Sequence, residues 1–449
     1  NRVYDLYVDP SDVLWVGTWR GGLNKTDFKK ERFGHIRHSP TTPFAGKSND
    51  VSAVYEDAHG NLWLGGNSSN TTRITVSSNN YRHFSHDARN NRSISAGDLA
   101  CITGDSTGIV WLATTSMLNT YDPRTESFSQ IEVLPERHPQ GSILTIFLDR
   151  SGFLWIGTDG YGIERFDPKS KTITHYSSLS RDSTYRRIQS AWSFYQDRLG
   201  YLWIGGWQRN GNLHRLDINT GQLVSYSQPQ LQTVRSMYED DDGNLWVGTW
   251  GSGISRFTQA TGEIRQFTEH NGLPSNFIKG ILSDNRNNLW IATERGLSRF
   301  SMKEETFRNF DVHDGVQGNL FYSGSCWKGH DGRLYFGGEN GLNAFYPDSI
   351  KDEEFSPPVM ITALRVVDQP RALRTTLSSI FNVVLTHEEN MFSFEFVALD
   401  YSAPERNQYA YRLEGFNNNW TDAGTRRYAS YTHLDPGEYH FVVRGTNSD

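Results

Sequence analysis

Large aromatic and charged residues recur in this chain at places where a turn needs neither. They are Trp19-Arg20, Asp159-Gly160-Tyr161, Trp207-Gln208-Arg209, Trp250, Glu294-Arg295 and Glu339-Asn340. Aromatic rings can stack on the apolar face of a polar ligand while Arg, Asp and Glu take its hydroxyls or carboxylates. A sugar has both kinds of surface. The other motifs that could do chemistry read as structure. Gly104-Asp105-Ser106-Thr107-Gly108 has the spacing of a nucleophile elbow, but that motif needs a strand-to-helix turn, and here a strand follows. Glu239-Asp240-Asp241-Asp242-Gly243 lacks the spaced ligands and terminal Glu of a calcium loop. The 14 His form no metal-binding spacing, so neither metal nor cofactor is expected. Cys101 and Cys326 lie far apart in apolar, strand-like stretches and read as two buried free thiols. Asn67-Ser68-Ser69 and Asn70-Thr71-Thr72 match glycosylation acceptors, which matter only in a secreted eukaryotic protein.

A repeat positions the aromatic and charged residues. An Asp, a turn ending in Gly or Asn, an apolar residue, Trp, another apolar residue and Gly or Ala recur from Asp9, Asp57, Asp105, Asp149, Asp197, Asp240 and Asp284. A degenerate eighth copy, Gly329 to Gly338, carries Tyr335 in place of Trp. The anchors are Trp15, Trp63, Trp111, Trp155, Trp203, Trp246, Trp290 and Tyr335, spaced 43 to 48 residues apart. That period fits four short strands with turns, and the β-branched and aromatic residues within each copy agree. Four-stranded units repeated this often make a β-propeller. Eight copies favour eight blades; a seven-bladed ring with one copy left over from a preceding propeller is the alternative. The anchor Trp fills the wedge between blades, so Trp155 and Trp246 are predicted to be buried there. The Gly after it permits close backbone approach, and the Asp caps the turn. With strand one innermost, the loop between strands two and three opens near the axis. Trp19, Tyr161, Trp207 and Trp250 occupy that loop in copies one, four, five and six, so these residues are predicted to ring one mouth of the channel. The competing reading is that they pack against neighbouring loops.

Copies one to seven end in an outer-strand phrase that copy eight lacks, so the missing strand is expected from upstream of Asn1. Asn1 itself falls at the start of a repeat, as in an excised fragment. Residues 348–358, charged and ending in Pro357-Pro358, read as a linker. From Val359 the pattern changes to alternating strands such as Phe392-Ser393-Phe394-Glu395-Phe396, with a Pro436-Gly437 turn. This suggests a small Ig-like or fibronectin-like sandwich that stops one strand short at Asn447-Ser448-Asp449. The fold class is therefore all-β, with a propeller at 1–347, a linker at 348–358 and a sandwich at 359–449. Of the 449 residues 13% are aromatic, which argues against disorder. A net charge of −7 gives no footprint for nucleic acid, and no run of 18 apolar residues could span a bilayer.

The Leu-Trp-Ile-Gly-Thr phrase followed by Gly-Leu-x-Arg-Phe resembles the two-component regulator propeller repeat. Tyr409-Ala410-Tyr411-Arg412-Leu413-Glu414-Gly415-Phe416, with Trp420, Tyr431 and Pro436-Gly437-Glu438-Tyr439, resembles the three-tyrosine (Y_Y_Y) domain that follows such propellers. The second copy departs from the pattern after Gly66, where the usual Gly-Leu is missing. The resemblance implies the periplasmic portion of a bacterial inner-membrane sensor. Such a sensor binds a small oligosaccharide or other small molecule, works as a homodimer, and signals through a cytoplasmic histidine kinase or diguanylate cyclase. Membrane contact is then made only by segments outside this sequence. A protein-interaction scaffold is the first alternative. A propeller lyase or glycoside hydrolase is the second, and it needs paired carboxylates, for which Asp159, Glu294 and Glu339 are candidates by position.

Overall fold

The computed structural model describes residues 2–38, 49–134, 141–176, 188–207, 213–351, 356–366, 369–371 and 382–446. The chain divides into two compact units, Lys30–Ile350 and Asn1–Lys29 with Lys351–Asp449. Among the described residues the first unit holds seven four-stranded antiparallel sheets. Their innermost strands are Ala53–Glu56, Leu99–Gly104, Ile143–Leu148, Ser190–Gln196, Val234–Glu239, Ile278–Ser283 and Phe321–Lys328. Each packs against the next, and the last returns to the first. There the Ser325 hydroxyl donates to the Val51 carbonyl at 2.8 Å, and the His330 amide to Glu56 Oε2 at 3.1 Å. The result is a closed ring of seven blades, built from copies two to eight.

The anchor residues explain why this sequence closes as a propeller. Trp155 and Trp246 are 0% and 1% exposed, as their wedge position predicts. The Asp six residues before each anchor does more than cap its turn. In the blade of copy six, Asp240 Oδ1 accepts from the amides of Asp242 and Asn244, while Oδ2 accepts the indole N–H of Trp246 at 2.8 Å. One carboxylate thus fixes both the hairpin and the ring that packs beneath it. The same indole bond recurs in copies one, two, four, five and seven. In copy three the Trp111 indole nitrogen is buried without a partner, and Asp105 instead takes the Thr107 hydroxyl. That turn joins two strands, so Gly104 to Gly108 is a hairpin and not a nucleophile elbow. After Trp155, a Cβ on Gly157 would lie 2.5 Å from the Ala191 carbonyl of the next inner strand, so any larger residue would push the blades apart.

Four expectations need correction. The ring has seven blades rather than eight. Its missing outer strand is not upstream of Asn1: His35–Ile36 supplies it, pairing with Gly341–Phe345. Phe33, just before it, is buried with ring centroids 5.1 Å from Phe310 and 4.9 Å from Phe345. Copy one therefore surrenders its outer strand to copy eight. Its remaining strands, Val3–Val8, Val13–Thr18 and Gly22–Asp27, form a three-stranded sheet in the other unit, so the propeller begins near residue 30, not residue 1. The start of the expected linker also belongs to the propeller, since Ile350 is buried in its core. Residues 352–355 of that linker and 447–449 lie outside the described residues.

In the second unit, strands Val359–Val366, Gln369–Arg371, Met391–Ala398 and Tyr428–Thr432 form one sheet, and Tyr409–Glu414, Asn417–Gly424 and His440–Gly445 form another. Phe396, Ala398, Tyr409 and Ala429 make the buried core between them. The hydroxyl of buried Tyr409 accepts the Ala398 amide at 3.1 Å, a cross-sheet bond that ties the two layers together. Copy one joins this unit through Trp15, edge-on to Tyr401 at 5.7 Å, and through Lys25 Nζ, which donates to the Tyr401 carbonyl.

Candidate functional site

The inner strands of copies four to seven share a local irregularity that turns one side chain out of the ladder. In copy six, Val234 faces Thr249 and Ser236 faces Gly248, leaving Arg235 as an extra residue. Copy five leaves Trp192 extra, copy seven Lys279 and copy four Leu144. A bulge of this kind bends the strand and re-aims its side chain. All four occur where the inner strand meets the end of strand two, next to the loop between strands two and three.

Three of these side chains come together with Trp250. The Arg235 guanidinium lies 3.5 Å from the ring centre of Trp192 and 4.9 Å from that of Trp250. Lys279 Nζ sits 3.8 Å from the Trp250 ring centre and 2.8 Å from Glu294 Oε1. Phe277 meets the Trp250 ring edge-on at 5.5 Å, and the Trp250 backbone amide donates to the Thr233 carbonyl. Stacked cations of this kind are worth about 0.5–2 kcal/mol each, more as water is excluded. Burial pushes the Arg235 guanidinium down to about 10. Burial also lowers Lys279; Glu294 opposes this shift and the charge of Arg235 adds to it. Arg235 Nε is buried with no hydrogen-bond partner.

Models of known families match both parts of the chain. The two-component regulator propeller matches residues 1–20, 45–68, 138–160, 229–251 and 272–295, and the Y_Y_Y domain matches 400–449. At these residues the chain carries two-component regulator propeller repeats and a Y_Y_Y domain. It is similar to the extracellular domain of a hybrid two-component system of B. thetaiotaomicron, with a TM-score of 0.77 and 26% identity over 99% of this chain and 59% of that one. A histidine kinase of Formosa agariphila is 26% identical over 350 residues, 74% of this chain and 25% of that protein. The chain thus spans about a quarter of its curated relative's length. A streptogramin B lyase shares the propeller fold alone, at TM-score 0.54 and 17% identity over 69% of this chain and 95% of that one.

Within the regulator propeller, Trp250 and Glu294 stand in one cluster through Lys279. Asp159 and Trp207 are linked through Ser190: its hydroxyl donates to Asp159 Oδ1 at 2.8 Å, and its backbone pairs with Trp207. Trp207 is 65% exposed and Tyr161 half-buried. Gln208 and Arg209 lie outside the described residues. The Arg295 side chain is 71% exposed, 3.9 Å from Glu269. The Glu339 amide donates to the Leu320 carbonyl. Asn340 serves the fold, since its side chain donates to the Gln317 carbonyl and its amide to Gln317 Oε1. Trp19 and Arg20 lie outside the seven-bladed unit. They belong to the unit that contains the Y_Y_Y domain, where Trp19 stacks on Tyr4 at 5.4 Å. Their repeat is genuine, but it is not a blade of this ring. Trp192, Arg235 and Lys279 were not legible as site residues. The available signal was positional: each stands eleven residues before its copy's anchor Trp.

Proposed function

We propose that this chain is the ligand-sensing part of a bacterial receptor's periplasmic region, and that it binds a small oligosaccharide at the mouth of the propeller. The observation that carries this reading is the Trp192–Arg235–Trp250–Lys279 cluster, which combines aromatic faces with a cation that lacks a carboxylate partner. The likeness to the extracellular domain of a hybrid two-component system supports the sensory role. We read the mouth as a binding site rather than a catalytic one, because two of the three candidate carboxylates, Asp159 and Glu294, are engaged by Ser190 and Lys279. The sandwich that carries the Y_Y_Y domain passes the signal toward an inner-membrane segment and a kinase or cyclase output. Ligand must then favour one of two arrangements, most simply of a homodimer.

The test is a thermal-shift screen of oligosaccharides, since a ligand that binds only the native state raises the melting temperature. Trp250→Ala and Trp207→Ala should each weaken binding of a hit at least about tenfold, roughly 1.4 kcal/mol. Wild-type affinity in both variants would move the site away from this mouth.

A further inference from the structure

The cluster around Trp250 holds two cations, Arg235 and Lys279, and one carboxylate, Glu294. Lys279 is 5% exposed and has Glu294 as its ion-pair partner. Among the described residues Arg235 has no hydrogen bond or ion pair. Its Nε is buried without a hydrogen-bond partner, while the residue as a whole is half-buried. Its guanidinium carbon lies over two indoles, 3.5 Å from the ring centre of Trp192 and 4.9 Å from that of Trp250. A guanidinium fixed by ring stacking keeps its in-plane donors free, and those donors match a carboxylate or sulfate oxygen pair in a fork. The neighbouring Lys279 ammonium adds to the local field, and its repulsion with Arg235 is relieved when an anion arrives.

We propose that Arg235 is the anion-recognition group of the mouth and that the ligand carries a carboxylate or sulfate beside an apolar ring face that lies on Trp250. This rests on the mouth being the ligand site and narrows it to acidic glycans. The net charge of −7 offers no long-range attraction for an anion, so the selectivity is local and depends on this one fork.

The experiment is isothermal titration of the full 449-residue chain with matched probes. These are galacturonic acid oligomers for the carboxylate arm, sulfated galactose oligomers for the sulfate arm, and unsubstituted galactose oligomers of the same length. At least one acidic series should bind ten times or more tighter than its neutral counterpart, and which one does identifies the group. Arg235→Met, which keeps an unbranched apolar chain but no guanidinium, should remove that preference. Arg235→Lys should retain only part of it, because a point charge replaces a fork. Unfolding midpoints of both variants check that the fold is intact. If acidic and neutral probes bind alike, or none binds, or Arg235→Met leaves the preference untouched, the proposal is overturned. Trp250→Ala separates the two levels: loss of binding there without any acid preference sinks the anion role and keeps the site, whereas binding indifferent to Trp250→Ala removes the site itself.

Discussion

The shared carboxylate beneath each anchor Trp can be tested within one molecule, because copy three lacks the bond that six other copies make. Trp246→Phe keeps an aromatic ring in the wedge among Phe267, Phe300 and Ile254, but removes the indole N–H that Asp240 Oδ2 accepts at 2.8 Å. A hydrogen bond to a charged group contributes about 1.5–3 kcal/mol, and its loss leaves a buried carboxylate oxygen short of a donor. Trp111→Phe removes a similar ring volume from a similarly buried position. Its indole nitrogen, however, has no acceptor, so the substitution also removes an unsatisfied donor that costs about 1–3 kcal/mol. The packing loss is common to both, and the polar term changes sign. Trp246→Phe should therefore be the more destabilising by at least about 1.5 kcal/mol. Urea unfolding followed by far-ultraviolet circular dichroism reads the difference as separate midpoints at matched slopes. Equal midpoints for the two variants would refute the claim that the Asp-to-indole bond is why the anchor is Trp rather than Phe.

Two further outcomes follow from buried groups. Glu164 is 0% exposed, accepts from or donates to His175 Nδ1 at 2.7 Å, and burial pushes its carboxyl from 4.5 up to about 8. Its folded form prefers the proton, so its contribution is fully present below pH 4.5 and is lost as pH rises through 8; Glu164→Gln should leave the melting temperature near wild type at pH 4.5 and raise it at pH 9, and a uniform shift at both would contradict this. Phe33→Ala should cost about 3–5 kcal/mol although it lies before the first blade, because Phe33 seals the closing strand against Phe310 and Phe345; an unchanged unfolding midpoint would mean that the ring does not depend on that closure.

The legible part of this fold was whatever repeats. Trp, Asp and Gly at fixed spacing report a wedge, a turn and a close approach, and each is a local demand that every blade makes again. Blade number was harder to read, because ring closure is not local. Phe33-Gly34-His35-Ile36 has the pattern of an outer strand, and an outer strand looks the same whether it pairs with its own copy or with copy eight. Only the geometry of the closed ring distinguishes the two, and it hands copy one's outer strand to copy eight while the rest of copy one joins Tyr401 in the other unit.

The site was half-legible for a related reason. Trp250 and Glu294 stood out because a turn needs neither, but Arg235 and Lys279 sit inside strands, where a charged residue reads as a solvated face. A bulge breaks that inference by adding one residue to the strand, so alternation assigns the wrong face to everything on one side of it. The repeat supplies the missing register. At the position eleven residues before the anchor, Ala100 and Leu144 in copies three and four are apolar, while Trp192, Arg235 and Lys279 follow in copies five to seven. A position whose backbone role is constant and whose chemistry changes abruptly over three consecutive blades is not being chosen by the fold, since the same bulge is made with Leu144. We read that choice, together with the contacts these residues make with Trp250, as the mark of the proposed ligand site. The same comparison applied to the loops separates Trp250, which has cations over its ring, from Asn340, whose side chain and amide bond Gln317 in the connection before its own blade.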